Sequence, residues 1–159
     1  MPLRKPFLFS TCCTDVTVEE NMQLMMTLDD AWDAQDWNTL NNRHAEDVAV
    51  YWPGQQEPAR GRSSHQKEAE DFFKAFPDNR VKNDPYLILF GQGEWTCSVA
   101  LFRGTHKGPL MAAGGKSIPP TNKKLQVEFC TVARWKNKEI VEEKFFYDQA
   151  GMMRPLGLM

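Results

Sequence analysis

The chain has 159 residues, of which 42% are hydrophobic and 25% charged, with a formal net charge of -2. These values fit one globular domain with a substantial core and exclude a disordered or fibrous protein. Lysines and arginines are scattered, so nothing supplies the concentrated positive field that displaces counterions from nucleic-acid phosphates, and the longest strongly apolar run, Tyr86–Phe90, is far short of the ~20 residues that span a bilayer.

Residues 1–15 carry two prolines and no periodicity and read as a loose arm, with a single domain expected over residues 16–159. Arg4 and Lys5 followed by Phe7, Leu8 and Phe9 imitate a secretory signal, but the apolar stretch stops short of the roughly 7–15 residues such a signal needs, so the protein reads as cytoplasmic. Cys12, Cys13, Cys97 and Cys130 form no C-x-x-C pair and have no histidine at ligand spacing. No metal, cofactor or disulfide framework is therefore expected.

Thr17 and Glu20 form an S/T-x-x-E capping box that opens a first helix. Val18, Met22, Met25 and Trp32 follow at three- and four-residue spacing, with Asp29 interrupting the apolar stripe. Asp36 is a good N-cap for a second, shorter helix carrying Trp37, Leu40 and His44 one turn apart. Asp47–Trp52 alternates as a strand and closes on Pro53-Gly54. A serine at 63 or 64 opens a third helix, whose Ala69, Phe72, Phe73 and Phe76 face one way and which Pro77 limits. His44 and His65, both on helices, read as surface or packing residues.

Beyond Val81 the period becomes two. Strands are expected over Val81–Phe90, Glu94–Thr105, Leu125–Trp135 and Ile140–Asp148, joined by turns at Gln92-Gly93 and Lys136–Lys138. The long connection from Lys107 to Asn122 has the length of a lid or rim. Helices followed by a curved antiparallel sheet is an α+β order.

Three segments together resemble the SnoaL-like polyketide cyclases of the nuclear transport factor 2-like superfamily: Glu46-Asp47-Val48 leading to Tyr51-Trp52-Pro53-Gly54; Arg103 to Gly108 with Pro119-Pro120-Thr121; and Glu139 to Asp148 with Met152, Met153, Leu156 and Gly157. The resemblance implies a cone-shaped fold of three N-terminal helices on a curved antiparallel sheet, a cavity for a small hydrophobic molecule, pairing as a homodimer, and cofactor-free acid–base chemistry. The chain departs from the cyclase pattern in its last strand. Phe145 stands where the cyclases carry their acid/base aspartate, and Glu143 and Thr131 stand at two histidine positions.

Strand alternation puts Val141, Glu143, Phe145 and Tyr147 on one face, the more apolar and hence the cavity side. Glu143 is then the leading catalytic candidate, a carboxylate whose pKa poor solvation would raise. Asp148 is a second candidate base, and His106 and Tyr147 are candidates to stabilise or return charge. Trp32, Tyr51, Trp52, Phe72, Phe76, Tyr86 and Phe145 are the expected aromatic substrate contacts. Two functions fit: an enzyme that cyclises, isomerises or dehydrates a hydrophobic carbonyl-containing metabolite, and a noncatalytic ligand-binding or dimerisation module of the same fold.

Overall fold

The computed structural model describes residues 17–111 and 115–159; the expected N-terminal arm, with Cys12 and Cys13, lies outside the described residues. Helix α1, Val18–Ala34, starts as its sequence predicts. The Thr17 hydroxyl accepts from the Glu20 amide at 3.2 Å while the Glu20 carboxylate accepts from the Thr17 amide at 3.0 Å. The helix buries Asn21, Met25, Leu28 and Ala31 on one face. Asp36 caps α2, Trp37–Arg43, as expected. Strand β1, His44–Tyr51, follows without a loop, so His44 both closes the helix and opens the strand. It does not sit on a helical surface, and the strand starts three residues earlier than alternation alone indicates.

Strand β2 is Ala59–Arg60, and α3 spans Arg62–Ala75. The expected serine cap is absent. Gly61, at φ 86, makes the turn into α3, and its carbonyl accepts from the His65 amide at 3.1 Å. This backbone conformation is costly for a residue with a Cβ, so the glycine fixes the helix start upstream of both serines. The expected strand at Val81–Phe90 is two, β3 (Arg80–Lys82) and β4 (Ile88–Gln92), divided at Asp84-Pro85 and both paired to β5, Trp95–Thr105. The long connection carries a small ribbon of β6 (Leu110–Met111) and β7 (Ser117–Ile118). Strands β8, Lys124–Lys136, and β9, Glu139–Tyr147, complete the sheet.

The seven-stranded order is β2-β1-β9-β8-β5-β3, with β4 also on β5. Neighbours are antiparallel except β1 and β9, which run parallel. A fourth helix, α4 (Gln149–Leu156), follows the last strand; Met152 and Leu156 pack with Phe76, Phe102 and Leu125.

The face of the sheet toward the helices carries Thr96, Ser98, Ala100 and Phe102 of β5, all buried. In β9 the alternation is interrupted. Arg134 pairs with Glu142 and Trp135 with Ile140, leaving Val141 as the extra residue of a bulge. Ile140, not Val141, therefore shares the buried side with Glu143 and Phe145. Among the described residues no helix is long and apolar enough to cross a membrane.

Candidate active site

Helices α1 and α3 and the inner face of the sheet enclose a cavity of about 50 Å³, walled by aromatic and aliphatic side chains and by Asp29, His44, His65 and Glu143, with the hydroxyl-bearing Ser98 and Thr131. Trp52 and Phe72 form a partition, since they also line an outer groove of about 740 Å³ bounded by Tyr147, Gln149 and Met153. Their rings lie 6.0 Å apart, and the Trp52 indole is held by a 2.8 Å hydrogen bond donated to Glu68.

Glu143 does reach the cavity, and it is only 2% exposed. Its Oε2 lies 3.1 Å from Nε2 of His44 and 3.7 Å from Nε2 of His65. The expected upward pKa shift is overturned: burial alone pushes the carboxyl up, but the hydrogen bond and charge of His44 outweigh it and hold Glu143 below its ordinary value. Desolvation conversely depresses His44, yet Glu143 carries it above its ordinary value. The remaining imidazole, His65, is pushed down to about 4 by burial and by the charge at His44. Both histidines, read from sequence as surface or packing residues, are thus parts of the site. They were missed because residues 44, 65 and 143 share no local spacing.

Asp29 is the other addition. It lines the cavity from α1 and accepts a 2.5 Å hydrogen bond from the Tyr86 hydroxyl. Desolvation pushes its carboxyl up to about 7; the Tyr86 bond opposes this, and the negative charge of Glu143 adds to it. The available signal was its position: a carboxylate four residues after Met25 and three before Trp32 sits on the face of α1 that turns inward.

The other expected residues divide. Trp32, Trp52, Phe72 and Phe145 line the cavity, and Tyr86 reaches it through Asp29. Trp32 donates its indole hydrogen to Asn79 at 2.8 Å. Tyr147 lines the outer groove instead, stacked on Phe129 at 5.2 Å. Phe76 is core, and Tyr51 meets the Lys144 ammonium 5.0 Å from its ring, outside the cavity wall. His106 does not line the cavity either. It is buried, tilted over Phe76 at 5.4 Å, and its Nδ1 accepts from the Thr121 amide, tying down the end of the long connection. Asp148 caps α4 by accepting from the Gly151 amide at 2.8 Å and is not among the side chains lining the cavity.

The fold and site define an α+β cavity protein with titratable groups set into an aromatic wall. The chain belongs to the SnoaL-like polyketide cyclase family, whose profile matches residues 22–156. Solved structures share the fold. A protein of Jannaschia sp. CCS1, provisionally named a SnoaL-like polyketide cyclase, superposes with a TM-score of 0.78 at 17% identity, covering 94% of this chain and 99% of the other. AclR of Streptomyces galilaeus, provisionally named a hydroxylase, gives 0.74 at 17% identity over 90% and 84%. IdmH of Streptomyces antibioticus, provisionally named a polyketide cyclase, gives 0.70 at 22% identity over 87% and 99%. No curated protein sequence matches the chain. One fold thus carries names of different reactions, and chemistry must be argued from the site.

Proposed function

We propose that this protein is an acid–base enzyme that cyclises, isomerises or dehydrates a small hydrophobic molecule by moving a proton next to a carbonyl group. Asp29 carries the reading. A carboxyl with a pKa of about 7 combines availability and strength near neutral pH, the best compromise for proton transfer. Tyr86 serves both of its states. The hydroxyl donates to the carboxylate, or accepts from the carboxylic acid while its own hydrogen turns to the Met25 carbonyl at 3.3 Å. Glu143, the base indicated by the strand pattern, instead anchors His44 on the same cavity wall, with His65 close by. The reacting end of the substrate enters the inner cavity and the remainder occupies the outer groove, with Trp52 and Phe72 moving apart between them.

The test uses aryl and cyclic β-diketones in deuterium oxide, with exchange of the hydrogen next to the carbonyl followed by NMR. Exchange above the buffer rate is expected to fall roughly 10²–10⁴-fold in Asp29→Asn, with circular dichroism unchanged. Undiminished exchange in that variant removes the assignment. Glu143→Gln should also abolish turnover, through loss of the negative charge that keeps His44 protonated. Binding without exchange would select the noncatalytic module, which Phe145 at the cyclase acid/base position favours.

A homodimer through the outer face of the sheet belongs to the same proposal. Ile88, Phe90 and Phe146 are each more than half exposed there, an apolar patch of the kind that marks an interaction site. A cytoplasmic location suits the thiols of Cys97 and Cys130, which lie 3.7 Å apart and unbridged.

A further inference from the structure

We propose that His44, His65 and Glu143 bind one divalent first-row transition-metal ion, zinc being the reference case, with a coordination position left open to the cavity. The three ligand atoms lie within 4.8 Å of one another. A tetrahedral ion with bonds of about 2.0–2.1 Å would set its ligand atoms about 3.3–3.4 Å apart. The observed Nε2–Oε2 separations, 3.1 Å from His44 and 3.7 Å from His65, bracket that spacing, and the two imidazoles would close on each other as the ion binds. Two imidazoles and a carboxylate suit such an ion better than magnesium or calcium, which prefer oxygen.

The histidine geometry points the same way. Nδ1 of His44 lies 2.7 Å from the Leu40 carbonyl, which can only accept, so Nδ1 carries hydrogen. The proton that His44 and Glu143 share then lies between Nε2 and Oε2, and it is this proton that a divalent ion would replace. A backbone carbonyl on the far nitrogen is the usual device for orienting a metal-binding histidine. Nε2 of His65 lies near the same oxygen but beyond hydrogen-bonding distance, and among the described residues its buried Nδ1 has no hydrogen-bond partner. An ion drawing Nε2 and Oε2 together would give this ring the directional bond it lacks. The ligands come from the start of β1, the first turn of α3 and the middle of β9, so the folded frame sets their convergence. No two are close in sequence, which is why the sequence alone suggests a metal-free protein.

An ion here would polarise a carbonyl oxygen. That use rests on the proton-transfer reading above; binding itself does not. The experiment takes the full chain, strips it with chelator, and titrates it with Co²⁺ and Zn²⁺. Expected are one ion per chain by elemental analysis after gel filtration, the intense visible absorption of four-coordinate cobalt, and a raised Tm. His44→Gln and His65→Gln should each weaken affinity by more than the roughly 10–100-fold that outer-shell partners cost, while Asp29→Asn, outside the ligand set, keeps the stoichiometry. No retained ion and no rise in Tm, or binding by both histidine variants as tight as that of the wild type, overturns the site. Loss of proton exchange in Asp29→Asn tests the reaction separately from the metal.

Discussion

Tyr86 and Asp29 stand 57 residues apart in sequence and meet in a 2.5 Å hydrogen bond at the wall of the cavity. Because this bond opposes the upward push of desolvation on Asp29, Tyr86→Phe should raise the Asp29 pKa further. If Asp29 acts as the base, the acidic limb of the pH–rate profile moves to higher pH. A limb that does not move separates Asp29 from the rate. The unmet carboxylate should also destabilise the variant by roughly 1–3 kcal/mol above neutral pH.

The Asp29 shift also links stability to pH. Folded, the carboxyl stays protonated up to about 7, whereas its ordinary value is 3.8. The folded state thus holds the extra proton between those values. Its contribution is whole below 3.8 and lost as pH rises through about 7. Asp29→Asn cannot ionise, so its Tm should exceed that of the wild type by roughly 5 °C at pH 8 and by far less at pH 4. Thermal melts at the two pH values decide this; equal differences would mean an ordinary carboxyl.

Trp52 divides the inner cavity from the outer groove, and Trp52→Ala should join them. Binding of a three-ring aromatic ketone should strengthen, while a single-ring ketone should show little change by calorimetry. Loss of the ring and of its bond to Glu68 should cost roughly 2–4 kcal/mol in denaturant melts. Equal effects on both ligands would argue against the partition.

A charge on the outer sheet face should separate the proposed dimer. Phe146→Glu places a carboxylate beside a face that also carries Ile88 and Phe90. Light scattering is expected to show a dimer for the wild type and a dissociation constant at least ~100-fold weaker for the variant, about 3 kcal/mol. A wild-type monomer would withdraw the dimer.

Local rules served the elements better than the site. Thr17, Asp36 and the two-residue period of β5, β8 and β9 announced their structures because capping and alternation depend on neighbours in sequence. The same rules failed where tertiary contacts decide. Gly61 displaced the serine cap of α3, Pro85 divided one strand into two, and α4 lay inside a segment noted only for its resemblance. Alternation found Glu143 and Phe145 on the cavity side but could not foresee His44 opposite Glu143. The direction of the Glu143 pKa followed from that unseen partner. His44 and His65 looked bland because a histidine's role is set by what it faces, and here that is a strand about a hundred residues away in His44's case.

The supernumerary Val141 has a consequence beyond its own position. It lets one strand seal the hydrophobic interior with Ile140 and, three residues later, deliver an acid from the same side. With the same three-residue spacing and no bulge, regular alternation would send one of those two side chains outward. Were that side chain the acid, His44 and His65 would lose the group they both face.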